Sequence, residues 1–141
     1  MLKGNYTIRP RYNEVDQMGY VYHANYVTYC HQARTELLRK YGVNDCALEE
    51  KGIMMPVIEM NLKYHRPANY DVPLQITTVV EELPQTRFSF KFEFRNDQQL
   101  ICTAKSTVVF VNAETRKPMR APECVIEAIS NEFKYQTHIY Q

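Results

Sequence analysis

No pair among the four cysteines is spaced CxxC, no apolar run approaches the ~20 residues of a membrane span, and neither sign of charge dominates. Each absence removes a class of protein. Cys30, Cys46, Cys102 and Cys124 lie far apart, and His31 and His65 show no metal-ligand spacing, so no metal site is expected. A net charge of +1 gives the chain as a whole no electrostatic reason to bind nucleic acid, so any anionic ligand must be held by a local patch. With no signal peptide, span, repeat, low-complexity tract or linker, the sequence predicts one soluble, cytoplasmic domain over residues 1–141, long enough to bury a core without staples.

What is present is strongly patterned. Residues 87–95 (RFSFKFEFR) alternate Phe88, Phe90, Phe92 and Phe94 with Ser89, Lys91 and Glu93, the period of a half-buried strand. Residues 5–12, 53–65, 74–83 and 100–111 also read as extended, with polar links at Pro84-Gln85, Asn96-Asp97 and 112–117 that suit antiparallel hairpins. Residues 23–42 read as a long helix, opened by His23 or Asn25 and closed by Gly42, with Val27, Cys30, Arg34, Leu37, Leu38 and Tyr41 predicted on its inner stripe. A short helical turn over 45–51 and a helix from Pro122 complete the chain. One long helix with an antiparallel sheet is an α+β layer architecture.

Chemistry concentrates at one junction, residues 11–26 (RYNEVDQMGYVYHANY). Asp16 falls just before the first turn of the long helix, where backbone N–H groups lack partners and carry the positive end of the helix dipole. Such a terminus polarises a carbonyl, and a nearby carboxylate can attack it or activate water, which would suffice for acyl transfer without metal or cofactor. The spacing alone equally suits a turn-forming, dipole-facing Asp16 and a locally bonded His23. The tyrosines equally suit core or interface positions.

The combination is more specific than its parts. RYNEVDQMGYVYHANYVTYCHQARTELLRKYG, continued by GIMMPVIEMNLKYHRPANYDVPLQITT and VVFVNAETRKPMRAP, resembles the hotdog-fold acyl-CoA thioesterases, in particular the 4-hydroxybenzoyl-CoA thioesterase-like branch that includes the Tol-Pal-associated enzyme. The resemblance implies a helix wrapped by about five antiparallel strands, joined to a second copy as a homodimer or homotetramer. It implies Asp16 as nucleophile or general base, and a His23 backbone N–H facing the thioester oxygen. By the same resemblance Tyr12 and Gly19 would lie at the substrate and Arg120 near the phosphates of coenzyme A. Read from residue type alone, Tyr26 is a further candidate for the pocket wall, and Lys117, Arg116, Arg66 and Arg87 are further cationic candidates for the anionic end of the coenzyme. The implied partner is an acyl-CoA, or an acyl-carrier-protein thioester, and the competing reading is a hotdog protein that binds such thioesters without cleaving them. A hotdog dehydratase would need a D-x-N-P-x-H-like motif, which DQMGYVYH does not supply.

Overall fold

In the computed structural model, which describes residues 1–133, a five-stranded antiparallel sheet carries the long helix on one face. In chain order the elements are β1 (Leu2–Ile8), α1 (Asn25–Arg39), α2 (Asp45–Glu50), β2 (Ile53–Met54), β3 (Val57–Tyr64), β4 (Leu74–Val80), β5 (Arg87–Asn96), β6 (Gln99–Val109), β7 (Val111–Asn112) and α3 (Glu123–Ile129). The sheet order is β1-β4-β5-β6-β3, and β2 and β7 form a separate two-stranded pair.

Strand alternation decides which face meets the helix. Phe88, Phe90, Phe92 and Phe94 point inward with Leu74, Ile76, Val80 and Val108, while Arg87, Ser89 and Lys91 face away. From α1, Tyr26, Tyr29, Cys30, Ala33, Arg34, Leu37 and Leu38 complete the core. The predicted stripe holds for Cys30, Arg34, Leu37 and Leu38. Val27 and Tyr41 are the exceptions: the buried face is centred on Tyr26 and Tyr29, which turns Val27 outward at 45% exposure, and Tyr41 lies past the end of α1 and is half-buried.

Three boundaries also differ from the sequence reading. The first strand starts at Leu2 rather than residue 5, and residues 12–14 form a 3-10 turn instead of extended chain. The inward alternation of β1 is masked because one inward position is Gly4. An added Cβ there would lie 2.8 Å from Leu37 Cδ1, so α1 and β1 approach too closely for a side chain. Residues 53–65 are split at Pro56, which lacks the N–H to continue a ladder, into β2 and β3.

The Gly4 contact gives a stability prediction. Gly4→Val must displace Leu37 from beneath the helix and should cost about 1–3 kcal/mol, read as a lower urea midpoint with an unchanged m-value. An unshifted midpoint would mean that α1 is free to move away from the sheet.

Candidate active site

The junction folds as two loops held together by backbone bonds. Val15 and Val21 pair across a tight loop in which Asp16 N donates to Tyr20 O at 2.8 Å and Gly19 N donates to Asp16 O at 3.0 Å. Gly19 has φ +79°, a left-handed conformation that lets the loop reverse. The segment after β3 then splints this loop: Val21 N donates to Ala68 O at 2.8 Å and Tyr70 N to Gly19 O at 3.2 Å.

Glu14 ties the loop to the helix. Its carbonyl accepts from Tyr22 N at 2.9 Å and from the Asn25 side-chain amide at 2.8 Å. Its carboxylate accepts from Arg11 N at 2.7 Å and from the Tyr29 hydroxyl at 3.1 Å. Burial, and next the Glu14 carboxylate, push the Tyr29 pKa upward, so that hydroxyl stays a donor. The start of α1 is thereby fixed against the residues just before Asp16.

Asp16 Oδ1 accepts from Met18 N at 2.9 Å and Tyr20 N at 3.2 Å, which sets the side-chain rotamer. Among the described residues Oδ2 has no hydrogen-bond partner. At the helix start, His23 O accepts from the Tyr64 hydroxyl at 2.9 Å, and the His23 ring packs on Tyr22 with centroids 4.4 Å apart. Neither His23 N–H nor Ala24 N–H meets an acceptor among the described residues. Helical structure begins at Asn25 with Ala24 as N-cap, so His23 precedes the cap and does not open the helix.

Asp16 and His23 share a cleft of about 490 Å³ whose lining also includes Tyr22, Tyr26, Tyr64 and Arg66, and Ala24 follows directly behind His23. Tyr26 forms its floor, edge-on to Tyr64 at 5.1 Å and to Phe94 at 5.4 Å, and burial pushes its hydroxyl to about 12. An unengaged carboxylate oxygen, unpaired N–H donors at a helix start and an aromatic floor suit a planar carbonyl that gains negative charge during reaction.

The other sequence candidates are placed differently. Gly19 shapes the loop without lining the cleft, and Tyr12 stands outside it, 79% exposed, edge-on to Tyr70 at 5.8 Å. Arg66 lies in the cleft, whereas Arg87 lies on the far face of the sheet beside Glu81, Lys91 and Lys105. One chain does not bring Lys117 and Arg120 to Asp16. Cys102 pairs with Tyr64 at the cleft, while Met119 N bonds to Phe110 O past the other end of β6, roughly 25 Å away at strand spacing. Tyr64, His65 and Pro67 complete the cleft wall but were not assigned to the site from sequence, because only the long-range pairing of two loops brings them there.

The profile of the thioesterase-like superfamily matches residues 10–129. The chain belongs to this family. Its hotdog architecture agrees with solved relatives: the fold superimposes on a DHNA-CoA thioesterase from Staphylococcus aureus with TM-score 0.82 and 27% identity, covering 99% of this chain and 92% of that one. Among curated relatives, a protein of Bacillus subtilis named putative acyl-CoA thioesterase YneP is 32% identical over 80% of this chain and 83% of its own length. Acyl-CoA thioester hydrolase YbgC of Escherichia coli O157:H7 is 32% identical over 84% of this chain and 90% of its own. Among the described residues of this thioesterase-family chain, no helix is long and apolar enough to cross a membrane.

Proposed function

We propose that the protein hydrolyses acyl-CoA thioesters, with Asp16 as the catalytic carboxylate and the N–H groups of His23 and Ala24 as the oxyanion donors. The observation that carries this reading is the pairing, in one cleft, of a rotamer-locked Asp16 with a free Oδ2 and a helix start with unpaired donors. In such a geometry the thioester oxygen takes the N–H groups, and Oδ2 either attacks the carbonyl carbon or takes a proton from the attacking water. The C–S bond then breaks and the coenzyme leaves as its thiol. When water is the attacking group the free acid forms directly; when Oδ2 attacks, an acyl–Asp16 anhydride remains, which a water molecule cleaves to the free acid and the restored carboxylate. Supporting names among the relatives are those of acyl-CoA thioester hydrolases. The test is thiol release from a panel of acyl-CoA esters running from acetyl to palmitoyl and including 4-hydroxybenzoyl. Saturable binding without thiol release anywhere on the panel would favour the non-catalytic binder.

The anionic end of coenzyme A is assigned to Arg120 and Lys117 through a second copy of the chain. β3 is a sheet edge whose Val57 and Ile58 are exposed. A paired edge hides the unsatisfied backbone and apolar side chains of such a strand. Twofold antiparallel pairing along β3 sets the Tyr64 end of one chain beside the Val57 end of the other, which carries the basic turn of the partner subunit toward the cleft. Light scattering at micromolar concentration should therefore give at least twice the mass of one 16.7 kDa chain, and a monomer would remove this route. Arg120→Glu should raise KM for CoA esters about tenfold or more, as expected for loss of a charged contact to phosphate, with little effect on a thioester lacking the nucleotide. Equal effects on both would take Arg120 out of the coenzyme site.

A further inference from the structure

The charged group least explained by the fold is Arg34. It is 5% exposed, and none of the ion pairs found among the described residues includes it. One guanidinium nitrogen donates to His31 Nδ1 at 3.0 Å, and its carbon lies 5.9 Å from the centre of the Phe90 ring. Its other N–H groups meet no acceptor among the described residues, yet they are not sealed in protein, since the one fully enclosed polar atom without a partner is Gln32 Oε1. Burying a charge without a counter-charge is costly, and such groups persist where something pairs with them.

What lies beside Arg34 is an apolar groove of about 320 Å³ between α1 and β3, lined by Val27, Cys30, His31, Arg34, Val57 and Met60 among others. The groove lies next to the catalytic cleft along the same two elements, although the two share no lining residue. Val27 follows Tyr26 on α1, and Met60 stands four residues before Tyr64 on the same face of β3. Within α1, Val27, His31 and Arg34 follow at spacings of four and three, and Cys30 lies three beyond Val27 and four before Arg34, which groups them along one side of the helix. Across from them β3 runs the opposite way, from Tyr64 in the cleft through Met60 to Val57 at Arg34. Thr28 and Ser106 contribute hydroxyls to the same walls. Asp45 and Glu49 line an adjoining hollow of about 240 Å³ that shares His31, Arg34 and Val57 with the groove, and Asp45 opposes the loss of the guanidinium charge that burial favours. The groove side holds no acid among its lining residues.

We infer that this groove takes an acyl group of medium length ending in a carboxylate, with the Arg34 guanidinium pairing that ω-carboxylate. The inference rests on the thioester site proposed above and specifies its substrate. Length follows from the helix. The bond to His31 shows that the Arg34 side chain reaches back toward the N-terminus, so its head group lies roughly 10 Å along α1 from Ala24 at 1.5 Å rise per residue. An extended chain advances about 1.2 Å per bond, as a polypeptide does over its three bonds per residue, so about eight carbons bridge the oxyanion donors and Arg34. The groove walls bury the methylene groups, and the terminal carboxylate adds a counter-charge on the groove side, where the lining holds no acid.

The experiment compares octanoyl-CoA with suberoyl-CoA, its ω-carboxyl counterpart, as substrates, and octanoate with suberate as competing ligands. Wild type is expected to favour suberoyl-CoA in kcat/KM by about ten- to a hundredfold, the value of a desolvated charge-assisted pair. Arg34→Met should erase or invert that preference, while Arg34→Lys retains part of it. A wild-type preference for the uncharged ester, or an unchanged ratio in Arg34→Met, overturns the inference. If Arg34→Met does not fold, as judged by circular dichroism, the wild-type ratio decides alone. If neither ester is cleaved, the catalytic assignment has failed, and binding decides the groove separately: suberate should raise the melting temperature at concentrations where octanoate does not, and equal or reversed shifts overturn it.

Discussion

Asp16→Asn is expected to abolish thioester turnover while leaving the fold in place. The asparagine amide oxygen can accept the same two bonds, from Met18 N and Tyr20 N, that now hold Oδ1, so the loop keeps its shape. What is lost is the second carboxylate oxygen as nucleophile or proton acceptor, because an amide nitrogen performs neither role. Loss of a positioned general base lowers rate by about 10²–10⁴-fold, and loss of a nucleophile by more. KM for the acyl-CoA should change little, since the groove, the aromatic floor and the N–H donors remain. The measurement is kcat and KM by thiol release, with thermal melts of both proteins to show that stability is retained. Turnover within a few-fold of wild type in a folded Asp16→Asn protein would remove Asp16 from the chemistry.

Phe94→Ala should produce the largest loss of stability and should carry the active site with it. The ring is fully buried in β5 and meets Tyr26 edge-on at 5.4 Å from below the cleft. Removing it leaves a cavity where the sheet supports the floor of the site, at a cost of about 3–5 kcal/mol. Against a typical domain stability of about 5–15 kcal/mol, that is enough to lower the melting temperature by roughly 6–20 °C. Activity at low temperature, where the variant is folded, should also fall, because Tyr26 loses one of the rings that orient it. A cost under about 1.5 kcal/mol would mean that the core closes over the gap and that the floor does not depend on Phe94.

The elements that carry a regular burial period were readable from the chain alone. The four phenylalanines of β5 alternate without interruption, and the helix announces itself by its spacing and by Gly42 beyond its end. The centre of the helix stripe was misplaced by about one residue because Tyr26 and Tyr29, amphipathic by nature, take the inner positions that Val27 was expected to hold. Gly4 hid the alternation of β1 by contributing no side chain at an inward position.

Asp16 and His23, to which the junction and the family resemblance pointed, are seven residues apart and line one cleft. Apart from Arg66, a candidate for its charge, the sequence gave no sign of the wall from Tyr64 to Pro67, which is tied to the Asp16 loop by bonds between segments some fifty residues apart in the chain. Lys117 was picked out by charge and Arg120 by the family resemblance, but neither gives a distance, and within one chain the length of β6 separates them from the cleft. Arg34 was read as a polar exception on an apolar stripe, and its neighbours on β3 were invisible without the fold.

The splint that holds the Asp16 loop has a consequence for how such a protein diversifies. Its two bonds join main-chain atoms of Val21 to Ala68 and of Tyr70 to Gly19. A bond between peptide groups survives exchange of most side chains on either strand. Residues 65–67 can therefore be rewritten, changing the wall of the cleft, while the loop that carries Asp16 keeps its shape. Lining and framework are separable here because the loop is held by hydrogen bonds between peptide groups, and only the wall is written in side chains.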